Sequence, residues 1–211
     1  MARYGIGDET ALGVQVNVLR AMAKRIGRDH ALALALWKTG VYEARMLATL
    51  VDEPEKVTLA QMDSWCRDFD TWALCDTACF SLWDQTPHAW TKVRAWAPRK
   101  EEFVRRAAFA LIASLSVHDK KAPDAPFRRS LELIERYATD ERNFVRKAVN
   151  WALRSVGKRN AALHRNALDV AARLAESDNR AARWNGKDAL RELSGPTVRR
   201  RLDRIAAKSA R

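Results

Sequence analysis

The chain has 211 residues, 47% hydrophobic and 30% charged, enough apolar matter for a sizeable core with the polarity of an ordinary globular protein. No stretch approaches the roughly 18 consecutive apolar residues of a membrane span, and the opening MARYGIGDET lacks the basic-then-apolar pattern of a signal peptide, so the cytoplasm is the expected compartment. Lys and Arg outnumber Asp and Glu by 38 to 26, a net charge of +12, which favours a polyanionic partner.

Apolar residues recur at three- and four-residue spacing throughout, and Gly and Pro fall between the periodic stretches. In chain order the pattern predicts helices over 12–26, 29–38, 41–51, 58–67, 70–84, 87–96, 101–117, 124–138, 141–156, 160–176, 179–193 and 196–207. Breaks fall at Asp52-Glu53-Pro54, Thr86-Pro87, Pro98, the turn over 120–123, Gly157 and Ser194-Gly195-Pro196. Thr139-Asp140-Glu141 offers N-caps for the ninth helix and Ser177-Asp178 for the eleventh. Period-two alternation is absent, so essentially no strand is expected. Short connections imply antiparallel helix pairs stacked in sequence order. No linker is long enough to divide the chain, so residues 1–211 read as one all-α domain. Its end, 196–211, is a basic helix or tail, and over 191–211 Arg191, Arg199, Arg200, Arg201, Arg204, Lys208 and Arg211 stand against only Glu192 and Asp203. That cluster carries no Trp or Phe on an apolar face, which argues against a membrane surface and for a phosphate backbone.

Two segments nearly repeat each other, FVRRAAFAL from Phe103 and FVRKAVNWAL from Phe144, 41 positions apart. A helical unit recurring at about 40–47 residues is the signature of a HEAT or armadillo solenoid. Such units stack into one continuous core and leave a concave surface for a long partner. Weaker copies begin at Val41 and Arg180, and the recurring alanines suit close helix approach. The repeats also differ in one informative place. Trp151 stands where the first box has Ala110, and an aromatic replacing a small core residue points to a side chain aimed at the concave face.

Signatures of familiar catalysis are missing: no GxSxG, P-loop, HExxH or glycine-rich dinucleotide loop occurs. The four histidines are scattered, and Cys66, Cys75 and Cys79 lack zinc-type spacing and read as buried small hydrophobes. No metal or cofactor is expected. Trp72 and Asp76 lie four apart on one helix face, and Arg106 suits bidentate contact with a phosphate. Aromatic, guanidinium and carboxylate groups on a basic groove can stack on sugar or base, grip the backbone and stabilise positive charge.

With these residues, the chain resembles the HEAT-like DNA alkylation-repair family of DNA glycosylases. The resemblance is carried, in order and over most of the chain, by MARY at the start, LGVQ at 12–15, the WxxxD pair, the VRRAA box and FVRKAVNWALR. It implies that Trp72, Asp76, Arg106 and Trp151 line the site around a damaged nucleotide, with Tyr4 a further contact. Lys147 and Arg154, the basic residues flanking Trp151, join the expected DNA contacts. The implied activity is hydrolysis of the N-glycosidic bond of cationic purines such as 3-methyladenine and 7-methylguanine in duplex DNA. The implied enzyme is a monomer acting without a base-flipping pocket and associated with the nucleoid when bound to DNA. The chain departs from the family in opening on MARY, where relatives usually carry a further helix: either the start is truncated or that capping helix is dispensable. Ala73 and Cys75 also replace the more polar or β-branched neighbours of the pair that are common in the family. Non-catalytic relatives of this fold exist, and the alternative is a protein that binds damaged, bent or branched DNA without cutting.

Overall fold

A computed structural model describes residues 11–209. Among these residues there are twelve α-helices and no strand: α1 (Val16–Ile26), α2 (His30–Lys38), α3 (Tyr42–Val51), α4 (Leu59–Arg67), α5 (Trp72–Ser81), α6 (Ala89–Trp96), α7 (Glu102–His118), α8 (Asp124–Tyr137), α9 (Asn143–Gly157), α10 (Ala161–Ala175), α11 (Arg180–Leu193) and α12 (Pro196–Ser209). A short 3-10 turn covers Trp83–Gln85. No helix among them is long and apolar enough to cross a membrane. Contacts divide the chain into two compact units, Met1–Lys92 and Val93–Arg211.

In the first unit α3 is central, packed by α1, α2 and α5. The core is aromatic. Trp37 and Trp65 stack with ring centroids 4.0 Å apart, Phe69 meets Trp37 edge-on, and the Trp37 indole nitrogen donates to Asp68 at 2.8 Å. Cys66, Cys75 and Cys79 are buried free thiols. Burial first, then the neighbouring Cys75, pushes the Cys66 and Cys79 thiols well up, so both remain protonated small hydrophobes.

The periodic pattern extends α1 back to residue 12, yet the helix begins at Val16. The backbone nitrogens of Leu12, Gly13 and Val14 instead donate to the Glu43 carboxylate at 2.8, 2.7 and 3.2 Å. Gly13 has φ of 80°, a left-handed conformation that a side chain would strain. Glu43, only 3% exposed, thus acts as an internal anion around which the LGVQ segment folds. Glu43→Ala is expected to cost about 2 kcal/mol, the scale of losing hydrogen bonds to a charged group. Urea denaturation measures this, with Glu43→Gln intermediate.

Two further boundaries shift for local reasons. Thr71 caps α5 by accepting from the Leu74 nitrogen, so that helix starts at Trp72 rather than 70. It ends at Ser81 rather than 84, because Leu82 leaves helical geometry (φ −136°, ψ −61°) and feeds the 3-10 turn.

In the second unit α7 packs on α9 and α9 on α11, while α8 and α10 pack against α9 and α10 also against α11. The buried positions Ala107, Ala108, Leu111 and Leu115 of α7 recur as Ala148, Val149, Ala152 and Val156 of α9, and again as Asn185, Gly186, Ala189 and Leu193 of α11. This shared register is the physical content of the repeat. Asn150 and Asn185 tie it together, the first donating to the Asn185 carbonyl at 3.2 Å and the second to Ala138 at 3.1 Å.

The capping expectations are corrected here. Arg142, not the Thr139-Asp140-Glu141 run, occupies the N-cap position of α9 and makes no side-chain cap. Asp140 is used otherwise: it accepts from Arg105 at 2.7 Å and from both Nε and Nη2 of Arg142 at 2.9 and 2.6 Å. Burial alone would raise the Asp140 carboxyl, but these two guanidiniums outweigh it and hold the group below its usual value. Arg105, the first arginine of its box, is therefore a buckle for the turn after α8. For α11 the cap is Asn179, which accepts from Ala182 at 2.9 Å, while Ser177 accepts from the Asn179 nitrogen.

Candidate nucleic-acid interface

In the first unit, Trp72 opens α5 and Asp76 follows one turn later, so both lie on one side of the helix. Each is half-buried, and Phe80 continues the strip in the next turn. Four other residues of α5, Leu74, Cys75, Ala78 and Cys79, are buried in the core. The pair is thus a carboxylate beside an indole on a rigid element whose back is anchored. Such an arrangement can present fixed negative charge to a cation.

In the second unit the repeat register places side chains in columns. Arg106, Lys147 and Trp184 occupy one column, Ala110, Trp151 and Asp188 the next, Ala113, Arg154 and Arg191 a third. Ala110 is fully buried while Trp151 is half-buried, so the residue that breaks the repeat also departs from it in exposure. Lys147 is exposed. Arg106 is only 6% exposed and donates from Nη1 to the Phe144 carbonyl at 2.7 Å, which anchors the first turn of α9. Arg154 is half-buried between two carboxylates: Nη1 donates to Glu192, and Nε lies 3.8 Å from Asp188. Lys158 adds a 2.7 Å contact to Glu192. Burial would raise the Glu192 carboxyl, but hydrogen bonds from Lys158 and Arg154 keep it below its usual value. Of the predicted cations, Lys147 has the most accessible charge. Tyr4 lies outside the described residues.

Over residues 1–193 the chain matches the family described as DNA alkylation repair enzyme. It belongs to that family. Among solved structures, it is similar to one described as belonging to a new family of proteins related to the HEAT-like repeat DNA glycosylases with affinity for branched DNA structures. The TM-score is 0.73 at 20% identity, with 90% of this chain and 86% of that chain covered, which establishes the HEAT-like repeat fold. No curated protein matches the chain.

Beyond the residues that the family motifs mark, α11 carries a feature that motif reading passed over. Trp184 is 38% exposed, one of few large apolar side chains left on the surface. The Arg146 guanidinium lies 4.8 Å from its ring centroid, and Arg180, Arg183, Lys187 and Arg191 line the shallow cleft around it with Asp188. An exposed indole among five cations suits a sugar-phosphate strand, since the ring offers stacking while the guanidiniums hold phosphates. The signal available in the sequence was the register itself, because Trp184 takes the place of Arg106 and Lys147. No group of three or more His, Cys, Asp or Glu side chains that could hold a metal occurs among the described residues.

Proposed function

We propose that this member of the family is a DNA glycosylase, acting as a monomer on duplex DNA that carries cationic alkylpurines such as 3-methyladenine or 7-methylguanine. The observation that carries the reading is the Trp72–Asp76 pair, half-buried on one side of α5 in a chain of this family. Alkylation at the ring nitrogen has already made the base a good leaving group, so protonating it is unnecessary. The N-glycosidic bond breaks with its electron pair leaving on the purine, positive charge develops on the sugar, and water adds at the anomeric carbon. Asp76 stabilises that charge and orients the water. The faces of Trp72 and Trp151 add cation–π attraction. Arg106, Lys147 and Arg154 contact the DNA, Lys147 from its exposed position and the arginines from their half-buried or buried ones, and Tyr4 adds a contact. Incubating the purified protein with duplex containing 7-methylguanine and counting released base tests this; release no faster than the spontaneous rate overturns it.

A second reading is favoured by one specific observation, the affinity for branched DNA of the structurally similar protein. On that reading the chain binds branched or damaged DNA through its cationic surface and leaves the glycosidic bond intact. Tighter binding to a four-way junction than to linear duplex, together with null base release, would establish it.

A further inference from the structure

A cleft of the second unit lies away from the α9–α11 columns, where the turn after α7, the turn between α9 and α10, and α12 meet. It encloses about 500 Å³ and is lined by Lys120, Arg159, Arg201 and Arg204, with Asn160 and Asp124 among the remaining lining groups. Four cations thus face one carboxylate, and that carboxylate is committed elsewhere. Asp124 accepts from the Asn160 amide at 2.8 Å and has Arg128 3.8 Å from its other oxygen. Asp119, at the preceding turn, accepts from the Ala122 nitrogen.

Arg159 is fixed in place: Nη2 donates to the Ala122 carbonyl at 2.8 Å, and the guanidinium lies 4.1 Å from the Phe127 ring centroid. Arg201 is tied only through Nε, to the Lys158 carbonyl at 3.2 Å, and Arg204 only through Nε, to Arg200. Their terminal nitrogens and the Lys120 ammonium have no acceptor among the described residues. Gathering like charges in this way is unfavourable without a counter-anion. Lys120 shows it: burial, then Arg201 and Arg159, hold its ammonium below the usual lysine value.

We propose that this cleft is an anion site that takes a phosphate group, held by the terminal nitrogens of Arg201 and Arg204 and the ammonium of Lys120 against the fixed guanidinium of Arg159. The chemistry suits a phosphodiester of a DNA strand or a free phosphate. The site rests on the reading of the chain as a DNA-binding protein, not on its being a glycosylase. Lys158, whose carbonyl accepts from Arg201 Nε, caps the end of α9 seven residues beyond Trp151. The cleft therefore stands about 10 Å along α9 from Trp151, within reach of the same nucleic acid.

The experiment uses the full chain carrying Lys120→Glu with Arg201→Glu, and as a control Arg129→Glu with Arg165→Glu, an equal change of charge at exposed positions of α8 and α10. Binding to undamaged duplex is titrated at several salt concentrations, and thermal unfolding is followed with and without inorganic phosphate. With DNA as the source, the slope of log affinity against log salt drops by about 1 to 2 in the cleft variant and less in the control. With free phosphate as the source, the salt slopes match, but phosphate raises the melting temperature of the wild type and control and not of the cleft variant. Matching slopes with no selective effect of phosphate, or equal loss in the control, overturn the proposal. Undamaged DNA keeps this outcome separate from failure of the glycosylase reading, which shows only in base release.

Discussion

Asp76→Asn is expected to slow release of 7-methylguanine by about 100- to 1000-fold, the loss typical of removing one electrostatic stabiliser from a transition state. Affinity for undamaged duplex should change less than 2-fold. The substitution is nearly isosteric on the half-buried side of α5, so it removes charge while leaving shape and the anchored back of the helix intact. The distinction matters because the two readings of function part at this residue. A glycosylase needs negative charge beside the sugar as the bond lengthens, whereas a binding protein does not, and a carboxylate weakens contact with phosphates. Single-turnover assays of base release, with fluorescence anisotropy for binding, separate the two effects. Wild-type release by Asp76→Asn would reject the carboxylate as the charge stabiliser. Tighter binding with no release in either protein would point to the branched-DNA reading.

How much could be read before the structure depends on whether the signal was periodic. Helix existence was legible because burial against neighbours writes a 3.6-residue period into the chain. Boundaries were less so, since caps compete with side-chain partners elsewhere in the fold. Asp140 looks like a cap by type, yet two arginines, one 35 positions away, recruit it. Residues 12–15 look helical by composition, yet a carboxylate 30 positions on draws their backbone into a nest. Such long-range polar contacts leave no local trace. The WxxxD pair was visible from spacing alone, because four residues make one turn whatever the surroundings. Arg106 was not fully legible: its box marks it as a conspicuous cation, but its near-complete burial and its bond to the Phe144 carbonyl are properties of the α7–α9 contact. Trp184 was missed for the opposite reason. Its segment was recognised as a weak repeat copy, but only the buried register of α11 aligns it with Lys147.

That register depends on one small residue, and its loss should be the most damaging change to the second unit. A Cβ added at Gly186 would lie 2.2 Å from the Ala175 nitrogen and 2.6 Å from the Ala171 carbonyl oxygen, both backbone atoms of α10. Neither can move without displacing the helix. Gly186→Ala is therefore expected to cost about 3 kcal/mol, at the upper end of overpacking penalties. For a chain of this size that lowers the melting temperature by about 10 °C. Gly157 provides the comparison. A Cβ there meets the Leu193 methyl carbons at 2.8 and 2.9 Å and the Ala167 Cβ at 3.0 Å, and the leucine is a flexible side chain that can turn away. Gly157→Ala should cost about 1 kcal/mol. Both variants should retain helical circular dichroism at low temperature. Only Gly186→Ala should also weaken DNA binding well below its melting point, because α11 presents Trp184 and Lys187 from the same turn as the displaced contact. If Gly186→Ala melted no lower than Gly157→Ala, the close seat of α11 on α10 would not be what sets the register. The column that aligns Trp184 with Lys147 would then lose its physical basis.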